Sequence, residues 1–181
     1  MLLRIETSAL LAVDFQERLM PAIHQADQTV AHAAWLIRIA QRLGAKVLAS
    51  EQYPQGLGPT VAAIRELLPA EAFMTKTHFS CAAEQDCMRR LDACGREQWV
   101  IVGVEAHICV LQTALGLRAA GKEVYLVADA VSSRSPRDVD LALERLRAEG
   151  VRIVSREMVA FEWLHQAGTD SFRAISREFL R

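Results

Sequence analysis

Residues 98–121 read QWVIVGVEAHICVLQTALGLRAAG, and the fold follows from how this stretch divides. Trp99, Val100, Ile101 and Val102 form a short β-branched apolar run stopped by Gly103, the pattern of a strand covered on both faces. Ile108, Leu111, Leu115 and Ala119 then recur at helical spacing, and Gly121 stands where a helix end favours a left-handed residue. Cys109 therefore falls in the first turn of a helix that begins at the carboxyl end of a buried strand. Unpaired N–H groups and the positive end of the helix dipole favour a thiolate at such a position, and the thiolate is the nucleophilic form of cysteine. The turn Glu105-Ala106-His107 offers no Ser, Thr, Asp or Asn as a cap, which leaves backbone donors free for a substrate oxygen. Taken alone, a cysteine here more often packs as a small hydrophobe.

Working outward, the same alternation repeats. Upstream, Ser8 to Val13 is an apolar run ending at Asp14. A helical pattern from Ala31 to Leu43 stops at Gly44, and Lys46 to Ser50 forms a second strand. The Pro- and Gly-punctuated stretch Glu51 to Thr60 reads as a loop that carries specificity. Val61 to Leu68 suggests a short helix, Ala72 to Thr75 a third strand ending at Lys76-Thr77-His78, and Ala83 to Cys94 an amphipathic helix closed by Gly95. Downstream, Glu123 to Ala128 is a fifth strand followed by a turn at Asp129. Pro136 fits the first position of the helix that runs on through Val139 to Ala148. Val151 to Ser155 is a sixth strand, and Glu157 to Arg181 forms a helical tail. Strands alternating with helices make βαβ units. The expected fold is a three-layer α/β/α, Rossmann-like domain spanning residues 1–181 with six parallel strands, for which the common doubly wound order 3-2-1-4-5-6 is the expectation. Ligands in such sheets bind at the carboxyl ends of the strands where the order reverses, an edge that holds Asp14, Glu51, Lys76, Cys109 and Asp129. Neither GxGxxG nor GxxxxGK[ST] occurs, so no nucleotide cofactor is suggested.

A chain of 181 residues with 51% hydrophobic and 24% charged residues has the balance of a globular domain. Its net charge of -1 gives no general attraction to nucleic acid or anionic membrane, and no apolar run approaches the roughly 20 residues needed to span a bilayer. The four cysteines, Cys81, Cys87, Cys94 and Cys109, form no CxxC pair and follow no secretion signal, which points to reduced thiols in a cytoplasmic setting. Cys87 and Cys94, seven apart, suit core packing better than zinc.

Asp14 after strand one, Lys76 after strand three and Cys109 after strand four converge if strands one and four are neighbours. Asp14 can then take the thiol proton and later deliver it to a leaving group, while Lys76 favours the ionised forms by its charge. The sulfur would attack a carbonyl carbon to form a thioester, with backbone amides at the helix start holding the oxyanion.

The AVDFQ of strand one, the KTHFS after strand three and GVEAHICV together resemble the isochorismatase-like cysteine hydrolases, a family that includes nicotinamidases and related amidohydrolases. The resemblance runs from Ser8 to the end of strand six. It implies an Asp-Lys-Cys triad at Asp14, Lys76 and Cys109, a cis peptide at Val104-Glu105, and oxyanion donors at the backbone N–H groups of Glu105 and Cys109. It also implies self-association into dimers or larger assemblies. Where relatives often have Thr, this chain has Ala106, and Glu51-Gln52-Tyr53-Pro54 replaces the Asp-x-His metal pattern of nicotinamidases. Neither a metal nor any other cofactor is therefore expected. The EQYPxGLG loop looks like the isochorismatase-domain branch, whose name does not define its substrate.

Phe15, Tyr53 and His78 are the expected substrate contacts, and the expected reaction is hydrolysis of a small amide or related carbonyl compound. His107 reads as pocket rim, Glu51 as a hydrogen-bonded structural carboxylate and Asp129 as a cap or turn. Two other readings exist. One is a non-catalytic oligomeric scaffold using the apolar segment around Trp163. The other is a thiol redox sensor, which would want a resolving cysteine nearby, whereas the other three cysteines read as lying on a different helix.

Overall fold

The computed structural model describes residues 1–180, so Arg181, the end of the expected helical tail, lies outside the described residues. The apolar runs become β1 (Ser8–Val13), β2 (Lys46–Gln52), β3 (Phe73–Lys76), β4 (Gln98–Val104), β5 (Glu123–Ser132) and β6 (Arg152–Val154). They form one sheet in the order β3-β2-β1-β4-β5-β6, with every pairing parallel. The expected order is thus the observed one. Between and after the strands come α1 (Ala26–Arg42), α2 (Pro54–Leu57), α3 (Ala62–Arg65), α4 (Gln85–Ala93), α5 (Leu111–Ala119), α6 (Pro136–Ala148), α7 (Arg156–Leu164) and α8 (Asp170–Phe179).

Side chains on a strand alternate between faces, and β4 shows how that alternation builds three layers. Val100, Val102 and Val104 point into one core with Leu36 and Ile37 of α1, Val159 and Trp163 of α7, and Ile175 of α8. Trp99 and Ile101 point into a second core with Leu91 of α4, Leu117 of α5 and Leu146 of α6. Both faces of β4 are covered and the whole strand is buried, which is why its sequence is apolar without alternation.

Several boundaries differ from expectation for local reasons. Helix α1 starts at Ala26, five residues early, because its first turn includes the exposed Asp27 and Gln28 and gives no apolar signal. Strand β2 continues through the polar but buried Glu51 and Gln52. Strand β5 runs to Ser132, so Asp129 lies inside it; its carboxylate accepts the backbone N–H of Arg156 at 2.8 Å and caps the start of α7. Gly103 does not stop β4. It has φ +147 within the strand, and a Cβ there would lie 2.4 Å from the Val13 carbonyl oxygen. Glycine is needed because β1 passes so close. Among the described residues, no helix is long and apolar enough to cross a membrane.

Candidate active site

The register of the sheet brings the chemistry together. Val13 pairs with Ser50 on one side and Gly103 on the other, and Gln52 pairs with Lys76. The carboxyl ends of β3, β2, β1 and β4 therefore present Lys76, Gln52, Ser50, Asp14 and the turn after Val104 as a row across the point where strand order reverses. Asp14 follows β1 with φ 53, a left-handed conformation uncommon for a residue with a side chain and frequent at functional sites.

Asp14 and Lys76 form an ion pair of 2.7 Å, and neither side chain is exposed. Ser50 Oγ donates to Asp14 Oδ1 at 2.7 Å, and Lys76 Nζ also donates to Gln52 Oε1 at 2.6 Å. Burial is the largest influence on Lys76 and works to discharge it. The attraction of Asp14, supported by Cys109 and Cys81, outweighs it and holds the pKa above the ordinary lysine value. The same pair acts on Cys109, which is 5% exposed. Burial first, then the Asp14 carboxylate, push its thiol far above the ordinary cysteine range against the opposing pull of Lys76. Desolvation and the neighbouring anion thus work against the thiolate expected at the helix terminus.

That terminus is also not a simple α-helix start. Residues Ala106–Val110 form a π-helical turn leading into α5, a local widening often found at functional sites. The Glu105 carbonyl accepts the amides of Ile108 at 3.0 Å and Val110 at 3.2 Å, passing over the N–H of Cys109 between them. The Val104-Glu105 peptide is cis. The Glu105 carboxylate is buried against the exposed guanidinium of Arg134, 2.5 Å from Nε.

The expected substrate contacts divide. Tyr53 is exposed and lines a cleft of about 250 Å³ with Pro54, Lys76, Thr77 and Glu84. His78 is exposed, and its ring lies 2.9 Å from Glu84, whose carboxyl is held down to about 2 by the Thr77 N–H and by His78. Phe15 is packed in the core on the α1 face, whereas Cys109 belongs to the opposite core. The structure therefore gives Phe15 a packing role and does not bring it to the thiol. Glu51 holds the following loop through Thr60 and Arg65. His107 is half-buried and turned to Ser133 Oγ at 2.9 Å.

Ser50, Gln52 and Gln16 escaped the sequence reading, although Gln16 closes the AVDFQ motif. Cys81 was misplaced by it. This buried residue sits in a short turn, Cys81–Ala83, with its N–H donated to Thr113 Oγ1 at 3.0 Å and its thiol against the hydroxyls of Ser50 and Thr113, within reach of the charges of Asp14 and Lys76. Among the described residues, no cluster of three His, Cys, Asp or Glu side chains could hold a metal ion.

The isochorismatase domain model matches residues 8–158, from the first residue of β1 into α7. The chain belongs to the isochorismatase family. It is 40% identical over 173 residues to isochorismatase domain-containing protein 2 of Danio rerio, covering 94% of this chain and 85% of that protein. Against isochorismatase domain-containing protein 1 of the same organism, identity is 38% over 169 residues, and the chain spans only 59% of that relative's length. A structure described as MAR1 ribonuclease from Caenorhabditis elegans superimposes with a TM-score of 0.92 at 30% identity, covering 100% of this chain and 93% of that one. The ycaC gene product of Escherichia coli, an octameric hydrolase of unknown specificity, shares the fold with a TM-score of 0.92 at 20% identity, covering 99% and 91% of the two chains. Family membership supports a hydrolase role.

Proposed function

We propose that this isochorismatase-family chain is a cysteine-dependent hydrolase of a small amide or related carbonyl compound. The observation that carries the reading is a buried Asp14–Lys76 ion pair set against a buried Cys109. Asp14 removes the thiol proton as the sulfur lone pair forms the S–C bond, so no free thiolate has to persist in a low-dielectric site. The carbonyl π electrons move onto oxygen, which the backbone N–H groups of Glu105 and Cys109 hold. Collapse expels the amine, which takes the proton from Asp14 and leaves a thioester. Water, losing its proton to Asp14, then attacks the thioester and releases the acid and the thiol. Lys76 stays charged and balances Asp14 whenever the carboxylate is ionised. Tyr53 is the proposed contact at the entrance, and no cofactor takes part.

The C. elegans neighbour is called a ribonuclease, which raises phosphodiester cleavage as a competing reading. Here the lysine beside the thiol is already committed to Asp14 and Gln52, and a site whose cation is neutralised is poorly suited to a phosphate anion. We also propose self-association, as in the octameric neighbour, and action as a single domain in the cytoplasm.

The test is a screen of small primary amides for ammonia release, with intact-protein mass spectrometry under acid quench to trap an acyl adduct. The expected result is turnover and an adduct on Cys109, both lost in Cys109→Ala while the oligomer is unchanged. Amide turnover that persists in Cys109→Ala would exclude the thiol mechanism. Absence of turnover from the whole screen together with self-association would favour the scaffold reading.

A further inference from the structure

Lys76 Nζ has two acceptors of different kinds, Asp14 Oδ2 at 2.7 Å and Gln52 Oε1 at 2.6 Å. One is an anion and the other a neutral amide oxygen. The orientation of that amide is decided by its neighbours. Gln52 Nε2 donates to the Thr77 carbonyl oxygen at 2.8 Å, and a flipped amide would aim N–H groups at an ammonium and oxygen at a carbonyl.

Gln52 is itself clamped. Gln16 Oε1 accepts its backbone N–H at 2.7 Å, and Gln16 Nε2 donates to its carbonyl oxygen at 2.9 Å and to that of Gly58 at 2.8 Å. Gln16 and Gln52 are both buried, and their side chains fix the last residue of β2 from both sides. Buried amides satisfied this completely are costly to disturb.

Charge explains why an amide stands here. The titratable groups acting on Lys76 are Asp14 from the end of β1, Cys109 from the π-helical turn and Cys81 from the turn after β3. Cys87 of α4 lies within range of the same ammonium. A carboxylate at position 52 would set two anions around one cation and leave the thiol beside a net negative charge. An apolar side chain there would leave Nζ with Asp14 as its one side-chain acceptor among the described residues, and nothing opposite to hold it.

We infer that Gln52 is a positioning residue for the thiol chemistry: it anchors the Lys76 ammonium, which acts on both Asp14 and Cys109, without adding charge, and Gln16 holds it in place. This rests on the proposed role of Cys109 as nucleophile.

The test compares wild type with Gln52→Glu, Gln52→Met and Gln16→Ala. Limiting iodoacetamide is the probe, and mass spectrometry reads the labelling rate at Cys109 across pH values around 8. Below the thiol pKa, each unit of upward shift slows labelling about tenfold. The expected order is wild type fastest, Gln52→Met and Gln16→Ala about threefold slower, and Gln52→Glu about tenfold slower. A merely structural role would give the opposite direction, because loosening a buried site exposes the thiol and speeds labelling. Rates in both Gln52 variants equal to or above wild type would overturn the inference, and a Gln16→Ala rate equal to or above wild type would remove Gln16 from the anchor. Should Gln52→Glu fail to fold, as judged by its melting curve, Gln52→Met carries the test alone. An ordered labelling series without an acyl adduct on any amide would sink the proposed hydrolase reaction while leaving the positioning role intact. An adduct with a flat series would do the reverse.

Discussion

Replacing Lys76 with methionine probes the feature on which the site depends. The side chains of Lys76 and Asp14 are both wholly buried at 2.7 Å, so the substitution keeps the bulk but leaves Asp14 with Ser50 Oγ as its remaining side-chain donor. Removing one partner of a buried pair costs about 3–5 kcal/mol, because the survivor keeps its desolvation penalty. At roughly 2–4 °C per kcal/mol for a domain of this size, the melting temperature should fall by about 6–20 °C. The double variant Asp14→Asn with Lys76→Met removes the orphaned charge and should recover all but about 1–2 kcal/mol, a non-additivity expected for residues in contact. The pH dependence has a definite sign. Lys76 has a folded pKa above its unfolded value, so its stabilising share is complete below about pH 10.4 and is lost as pH rises through the folded value. The gap between wild type and Lys76→Met should therefore hold from neutral to mildly alkaline pH and close only above it. Urea unfolding followed by tryptophan fluorescence measures all three proteins. A loss below about 1 kcal/mol, or a double variant no more stable than the single one, would refute the claim that this pair is buried and mutually dependent.

Two further substitutions test the neighbouring links. Asp14→Asn should separate nucleophilicity from catalysis: with the anion gone, the Cys109 thiol ionises more readily and iodoacetamide labelling at fixed pH should rise about tenfold or more, while amide turnover falls by about 10²–10⁴ for want of a base. Slower labelling in that variant would mean that Asp14 does not act on the thiol. Gly103→Ala should cost about 2–5 kcal/mol in thermal unfolding, since its Cβ would lie 2.4 Å from Val13 O at φ +147 and strain and overpacking add; a cost under about 1 kcal/mol would show that β1 and β4 part easily at this point.

Particular residues show where sequence reasoning reached and where it stopped. Cys109, Asp14 and Lys76 were legible because each ends or follows an apolar run, and parallel sheets gather such residues at one edge. Tyr53 lines an exposed cleft with Lys76, whereas Phe15 packs in the core, since the strand pattern ends at Val13 and the left-handed Asp14 changes the direction in which the next side chain points. Gln52 gave no local signal because Glu51 and Gln52, which carry β2 past Ser50, are polar, and their burial is offset by hydrogen bonds to partners 9 to 36 positions away. Cys81 was assigned to a helix by local pattern, whereas a short turn carries it to Ser50 and Thr113.

By itself, the sequence determined the alternation of strands and helices, the parallel sheet and which residue types stand at its carboxyl edge, because hydrophobic periodicity and chain connectivity leave few other arrangements. Tertiary structure alone decided the burial of the thiol beside Asp14, the neutral partner of Lys76 and the side on which each aromatic packs. Those depend on burial and on contacts between residues far apart in the chain, and desolvation and long-range hydrogen bonds leave no local trace in sequence.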